Sequence, residues 1–136
     1  MVDITVTAAN VAQGTGAVVA HGTAGGTITA GMALYLDSAD GKLKAADCDA
    51  SEAAAAVVGI ALHGASNNQP LAYQTDGRIT IGGTVTVGEI YVASGTAGGV
   101  APEADLAQND YVSIIGVGVT AAIIDLAIHV SGVQVP

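Results

Sequence analysis

Most of the chain from Gly26 onward reads twice. Gly26-Thr27-Ile28-Thr29-Ala30-Gly31 returns as Gly83-Thr84-Val85-Thr86-Val87-Gly88. Val57-Val58-Gly59-Ile60-Ala61-Leu62 returns as Ile114-Ile115-Gly116-Val117-Gly118-Val119. Residues 26 and 83 are 57 apart, and so are residues 59 and 116. Tyr35-Leu36 returns one residue out of step, as Tyr91-Val92. A repeat at fixed spacing means that one supersecondary unit has been used twice. We read a first β module over 26–82 and a second over 83–136. Residues 1–25 have no later copy and form an N-terminal arm, with everything in one compact domain.

The unit reads as strands. Thr27-Ile28-Thr29 and Ala33-Leu34-Tyr35-Leu36 are short apolar or alternating runs. Asp37-Ser38-Ala39-Asp40-Gly41-Lys42 is turn chemistry, because Asp-Gly supplies the positive φ of a hairpin. Asp49 or Ser51 caps at most one helical turn through Ala53 to Ala56. Val57 to Leu62 is a buried strand, with Gly59 marking close approach of a neighbouring backbone. Leu71 to Gln74 is a strand, and Asp76-Gly77 is expected to be a hairpin turn into Arg78-Ile79-Thr80-Ile81. In the second unit Val85, Val87, Ile90 and Val92 alternate. Ser94 to Gly99 replaces the first hairpin, and Pro102 to Asn109 replaces the acidic loop. Tyr111 to Val119 and Ile123 to Val130 are further strands. Turn signals recur every ~8 to 12 residues, which is the spacing of a sandwich or barrel. No helical pattern is long enough for a parallel crossover. The expected fold is all-β, a small sandwich or barrel-like structure with at most one short helix. In the arm, Asp3 to Thr7 alternates like a strand and then gives way to Ala, Gly and Thr. It is either a frayed terminus or a flexible arm that adds a strand to a partner's sheet edge.

Hydrophobic residues make up 51% of the 136, yet Phe and Trp are absent, so the core must be built from Val, Ile, Leu and Ala. Such side chains each bury modest area, at roughly 25 cal/mol per Å². The 19 glycines add backbone entropy to be lost on folding. A lone subunit is therefore expected to be modestly stable, with self-association supplying further burial. The aromatics are Tyr35, Tyr73, Tyr91 and Tyr111. Tyr35 and Tyr91 either close the module core with the hydroxyl at its rim or anchor an interface.

The net charge is −9, and the cations are Lys42, Lys44 and Arg78. Nucleic acid is excluded as a partner on this ground, since phosphate binding needs cations, and anionic lipid is disfavoured. The apolar stretch Ile114 to Ile124 is too short to span a bilayer. Asp3 stands where a secretory signal would carry basic charge. The single Cys48 leaves no intrachain disulfide and fits synthesis in a reducing compartment.

No constellation of reactive residues emerges. Gly116-Val117-Gly118-Val119-Thr120-Ala121 matches a dinucleotide fingerprint in letters, but a strand-like run follows where a helix is required. Asp47, Asp49 and Glu52 lack the spacing of a calcium loop. His21, His63 and His129 stand singly, away from ligand spacing. Ser131-Gly132 reads as a loop rather than a nucleophile's turn. The expectation is no enzymatic activity, no cofactor and no metal.

One stretch carries a family likeness. Ala33-Leu34-Tyr35-Leu36-Asp37-Ser38-Ala39-Asp40-Gly41-Lys42-Leu43 is followed by an acidic loop. Ala55-Ala56-Val57-Val58-Gly59-Ile60-Ala61 comes next, then Leu71-Ala72-Tyr73-Gln74-Thr75-Asp76-Gly77. Over residues 26–81 this resembles the head-decoration, or capsid cement, proteins of lambda-like tailed bacteriophages. The resemblance implies a small β-tulip type fold and homotrimers on the outside of an expanded capsid. It implies synthesis in the host cytoplasm, no catalysis, and an arm that orders against the major capsid protein. On that reading Val2, Ile4, Val6 and Val11 contact the capsid, and Tyr35 and Tyr91 are interface candidates. The chain departs from the family pattern in its second copy and its lack of Trp. A tail or fibre subunit built of β repeats is the second reading.

Overall fold

The computed structural model describes residues 2–136. The chain is nearly all-β, an antiparallel sheet curled into a half-barrel. Ten strands follow in order: β1 Ala12–Gln13, β2 Val18–Thr23, β3 Ala33–Asp37, β4 Lys42–Ala45, β5 Val57–Ala61, β6 Pro70–Thr80, β7 Ile90–Ala93, β8 Val100–Pro102, β9 Tyr111–Gly118 and β10 Ile123–Gln134. Across the sheet they run β4-β3-β5-β6-β10-β9-β7-β8, and β1 and β2 both pair with β6. Among the described residues helix is limited to two three-residue 3₁₀ turns, Ala8–Asn10 and Glu103–Asp105. At the alanine patch the Ala54 N–H donates to Ser51 Oγ at 3.1 Å, so Ser51 rather than Asp49 makes the expected cap.

The sequence repeat is a repeat of pairing. In the first half Ala33 faces Ile60, Leu34 faces Gly59 and Tyr35 faces Val57, with a bulge between Leu34 and Tyr35. Advancing every residue by 57 gives Ile90 against Val117, Tyr91 against Gly116 and Val92 against Ile114, with the bulge at the same place. The turns before the two strands match as well. Gly31 and Gly88 both have positive φ. The Gly31 N–H donates to Ala61 O and the Gly88 N–H to Gly118 O, each at 2.8 Å. The strict offset sets Tyr91 on Leu34 and Val92 on Tyr35. The two tyrosines are therefore not counterparts, although the letters align them one residue out of step.

The N-terminal segment is part of the sheet. β2 pairs with β6 from Val18 against Asp76 to Thr23 against Pro70, and β1 pairs with the far end of β6. Both strands lie within residues 1–25, so part of the arm belongs to the sheet. Asp3 to Thr7 joins no ladder, and Thr7 has an extended backbone.

β6 is where the two halves meet, and it corrects the expected turn at Asp76-Gly77. The strand runs unbroken from Pro70 to Thr80. On β2 the partners step by one residue, Val19 to Val18, while on β6 they step by two, Gln74 to Asp76. The additional residue is a β-bulge, which reverses the side-chain alternation of everything beyond it. Before it, Gln74 shares a face with Ile60, its cross-strand partner. After it, Ile79 and Ile81 enter the same main core as Ile60. Gly77 has φ +82°, and a Cβ there would overlap Gly16 O. The buried Gln74 ties the bulge together, its Nε2 donating to Asp76 O at 3.0 Å and Arg78 O at 2.8 Å.

The reversal makes the two repeats bury opposite faces. Ala33, Val57 and Ile60 of the first repeat pack with Val85, Tyr91, Val100 and Ile115 of the second in one main core. Leu34, Leu43, Ala61 and Leu71, on the other face of the first repeat, close a smaller cluster with Ala24, Ile28 and Ala65. The second repeat has no counterpart of that arrangement, because its Tyr91 face is already in the shared core.

The first hairpin forms as its sequence demands. Gly41 takes φ +69°, and its N–H donates to Asp37 O at 2.8 Å. Lys44 Nζ lies 2.7 Å from Asp37 Oδ2 and 3.1 Å from Asp40 Oδ2. The Asp37 carboxyl is held below its ordinary range, first by Lys44 and then by the Ala39 N–H. The Asp40 carboxyl is lowered by the Lys42 N–H and then by Lys44. Lys44 is raised to about 12 by the two carboxylates. Depressed carboxyl values favour the fold above the ordinary aspartate range, and this support is lost as pH falls through the lowered values. The raised lysine favours the fold below its ordinary value, and this support is lost as pH rises through about 12. A Lys44→Met variant should therefore show a shallower fall of melting temperature between pH 5 and pH 2 than the parent, by a small margin because the groups face solvent. Parallel melting curves across that range would refute the coupling.

Candidate interaction surface

The sheet ends in two outer strands, β4 and β8. Unpaired edges invite pairing with another chain unless something blocks them. Here the N-terminal quarter blocks both. The Gly25 N–H donates to Leu43 O on β4 at 2.8 Å, and the Ile4 N–H donates to Val100 O on β8 at 2.8 Å. The sequence left open strand addition to a partner; in the structure the segment makes these two backbone hydrogen bonds within the chain and forms no ladder on either outer strand.

The first segment lies in a trough whose walls are glycines. Ile4, Val6 and Val11 pack against the main core. The Thr7 N–H donates to Gly82 O at 2.7 Å. A Cβ on Gly31 would lie 2.6 Å from Val6 Cγ1, one on Gly82 would lie 2.6 Å from Thr7 O, and one on Gly83 would strike Ile4 Cγ2. Ser94 Oγ donates to Asp3 Oδ1 at 2.5 Å, and the Val2 N–H donates to Asp105 Oδ2 at 2.7 Å. A cavity of about 200 Å³ lies alongside, lined by Ile4, Val6, Met32, Gly98 and Val100 among others.

The nominated contact residues therefore divide. Val2 is 77% exposed. Ile4, Val6 and Val11 are partly buried on the protein's own core. Tyr91 is buried in it, and its hydroxyl oxygen accepts the Thr86 N–H at 2.8 Å. Burial at the centre of the subunit removes Tyr91 as an interface anchor, since the Leu34 position it occupies always points inward. Tyr35 is half-buried against the same core.

Exposed apolar residues that the sequence reading did not nominate stand elsewhere. They include Val87 and Val117 of the second repeat. The signal was present in Ile114-Ile115-Gly116-Val117, apolar at successive positions, which marks a strand with two apolar faces. Which of the two faces stays open depends on distant partners and is not written in that run.

The remaining chemistry is dispersed. Cys48 is fully buried. Burial and the neighbouring Asp110, Asp49 and Asp47 carboxylates push its thiol up to about 12. Thiolate is the reactive form, so a colourimetric thiol reagent should label Cys48 only in denaturant. Rapid labelling of folded protein would contradict the burial. The Asp49 carboxyl is raised by its hydrogen-bonded neighbour Asp47. Asp49 and Asp110 line a cavity of about 320 Å³ with Thr96 and Ala107. Among the described residues no three His, Cys, Asp or Glu side chains gather as a metal site. His63 Nε2 accepts the Ala72 N–H at 3.0 Å, and Nδ1 lies 2.9 Å from Gly64 O. His21 lies on β2 and His129 on β10. The Gly116 to Ala121 run leads from β9 through a turn into antiparallel β10, with no helix opening after it. Its glycines serve close packing, since a Cβ on Gly116 would strike Asp125 O and one on Gly118 would strike Thr86 O. Among the described residues no helix is long and apolar enough to cross a membrane. No protein-family model matches the chain, and a search of curated proteins returns no significant match.

Proposed function

We propose that this is a structural virion protein, a cement that binds the outer surface of a phage capsid as an oligomer, most simply a homotrimer, and stabilises the shell. Its partners on this reading are the major capsid protein and copies of itself, and it catalyses nothing. The observation that supports the reading is the placing of apolar surface. Val87 and Val117 are among the large apolar residues that lie on the outside of this small subunit, where apolar groups favour docking. The two cavities, of about 200 and 320 Å³, fall at or below the small end of ligand pockets. The resemblance over residues 26–81 supplies the capsid as the thing docked to. Of Val2, Ile4, Val6 and Val11, Val2 is the exposed one in the free subunit.

Co-sedimentation tests this reading. Expanded shells assembled from the major capsid protein alone should carry the chain down at a fixed ratio, with saturation. Failure to pellet with expanded shells at micromolar concentration would overturn the proposal.

A further inference from the structure

One face of the sheet lacks the cover that its twin has. Ile90, Val117 and Asp125 are direct cross-strand partners on β7, β9 and β10, so they share a face. Their counterparts in the first repeat are Ala33, Ile60 and Gln74, paired in the same order. All three of those are 0% exposed. In the second repeat Val117 is 37% exposed and Ile90 and Asp125 also reach solvent. The turn ahead of β7 differs in the same sense. A Cβ on Gly31 would meet Val6 and Val11, whereas one on Gly88 would have nothing within 4 Å. Beside them Ala30 is buried and Val87 is 65% exposed.

We infer that the face carrying Ile90 and Val117, bordered by Val87, is a self-association surface, and that a second copy of this chain covers it. Three observations select a copy of the chain as the occupant. First, the twin face in the first repeat has the same register and the same bulge, and what covers it is this chain's own second repeat. The same backbone surface is thus already shown to pack against elements of this sequence. Second, the patch keeps apolar residues where exposure would ordinarily favour polar ones, in a chain whose surface is otherwise strongly acidic. An acidic chain repels its copies except where the contact is uncharged or carries both signs. Third, this patch carries both signs at its border. Asp125 is the direct partner of Arg78, one of only three cations in the sequence. A copy docked on the face can set Arg78 against the neighbour's Asp125. A stable interface takes about 800 Å² from each partner, so Val117 and Ile90 form its centre and the strand ends its rim.

The inference deepens the self-association half of the proposed function, and its test uses no shells, so the two fail separately. The full chain, with Val117→Lys, Val87→Lys and Leu36→Lys variants, is followed by sedimentation velocity over a concentration series. Far-UV circular dichroism of each variant reports folding. The parent should sediment as an oligomer. Val117→Lys and Val87→Lys should each weaken association at least tenfold with an unchanged spectrum. Leu36→Lys, an exposed apolar site on the first repeat, should associate like the parent. If Val117→Lys does not fold, Val87→Lys decides. A parent that stays monomeric throughout overturns the inference. So does wild-type association in the lysine variants, or equal weakening by Leu36→Lys.

Discussion

Gly77→Ala should destabilise the subunit by about 3 kcal/mol or more, enough to leave much of the protein unfolded in urea that the parent tolerates. Two costs combine. The residue sits at φ +82°, which side chains other than glycine rarely adopt, and a Cβ would overlap Gly16 O in the turn between β1 and β2. Neither can relax alone. The Gly14 N–H donates to Arg78 O at 2.8 Å and the Arg78 N–H donates to Thr15 O at 3.0 Å, which pins that turn over the bulge. Moving the turn away would break these bonds and lift β1 and β2 from the two ends of β6. The consequence reaches beyond a local strain. The bulge is the place where the buried face of the sheet changes side, so losing it would misdirect Ile79 and Ile81 relative to Ile60. An equilibrium urea titration of Gly77→Ala that overlays the parent would contradict this account of β6.

Gly116→Val should be nearly as damaging, at about 3 kcal/mol. A Cβ at Gly116 would strike Asp125 O and crowd Ile124 Cγ2 on the adjoining β10. Its twin Gly59 is placed the same way, since a Cβ there would lie 2.6 Å from Gln74 O and 2.7 Å from Tyr73 Cδ2. Residues 59 and 116 are 57 apart, and the carbonyls they meet belong to residues 74 and 125, the paired partners of Ile60 and Val117. Glycine is required at both sites because a neighbouring strand crosses too close for any side chain. Gly116→Val should lose the β9–β10 ladder that joins the second repeat's strands to the rest of the sheet. Hydrogen exchange would then show the amides of 111–118 opening before those of β5. Uniform protection in both repeats would count against the equivalence.

Much of the architecture was legible because it is local or repeated. The Asp37 to Lys42 hairpin follows from Asp-Gly chemistry, and the 57-residue offset announced two copies of one pairing unit. Gly59 as a point of close approach was legible for the same reason. What was not legible depends on distant partners. Asp76-Gly77 carries the letters of a hairpin turn, and only the β1–β2 segment arriving alongside makes it a bulge within one strand. Likewise the letters of Tyr35 and Tyr91 align almost in register, yet a shift of one residue reverses the face of a strand. That shift buries Tyr91 in the core and leaves Tyr35 at its edge. The arm's alternation over Asp3 to Thr7 reads as a strand, but Ile4 and Val6 pack on the protein's own core and that segment joins no ladder. Its target was invisible, because β8 and the glycines of the trough come from a different part of the chain.

The two repeats also explain why an open apolar face survives in so small a subunit. A duplicated unit brings two copies of each face. The shared core uses one face of each, the smaller cluster closes a third, and the fourth is left outside. The proposed cement role would make use of such a remainder.

Thermal release of packaged DNA tests the cement role most directly. On the proposed reading the chain comes from a phage, whose filled particles would be prepared with and without it and heated in parallel with a dye that reports free DNA. The account predicts that particles lacking the chain burst at a clearly lower temperature, and that adding purified protein back restores the parent value. Equal release temperatures with and without the chain would contradict it.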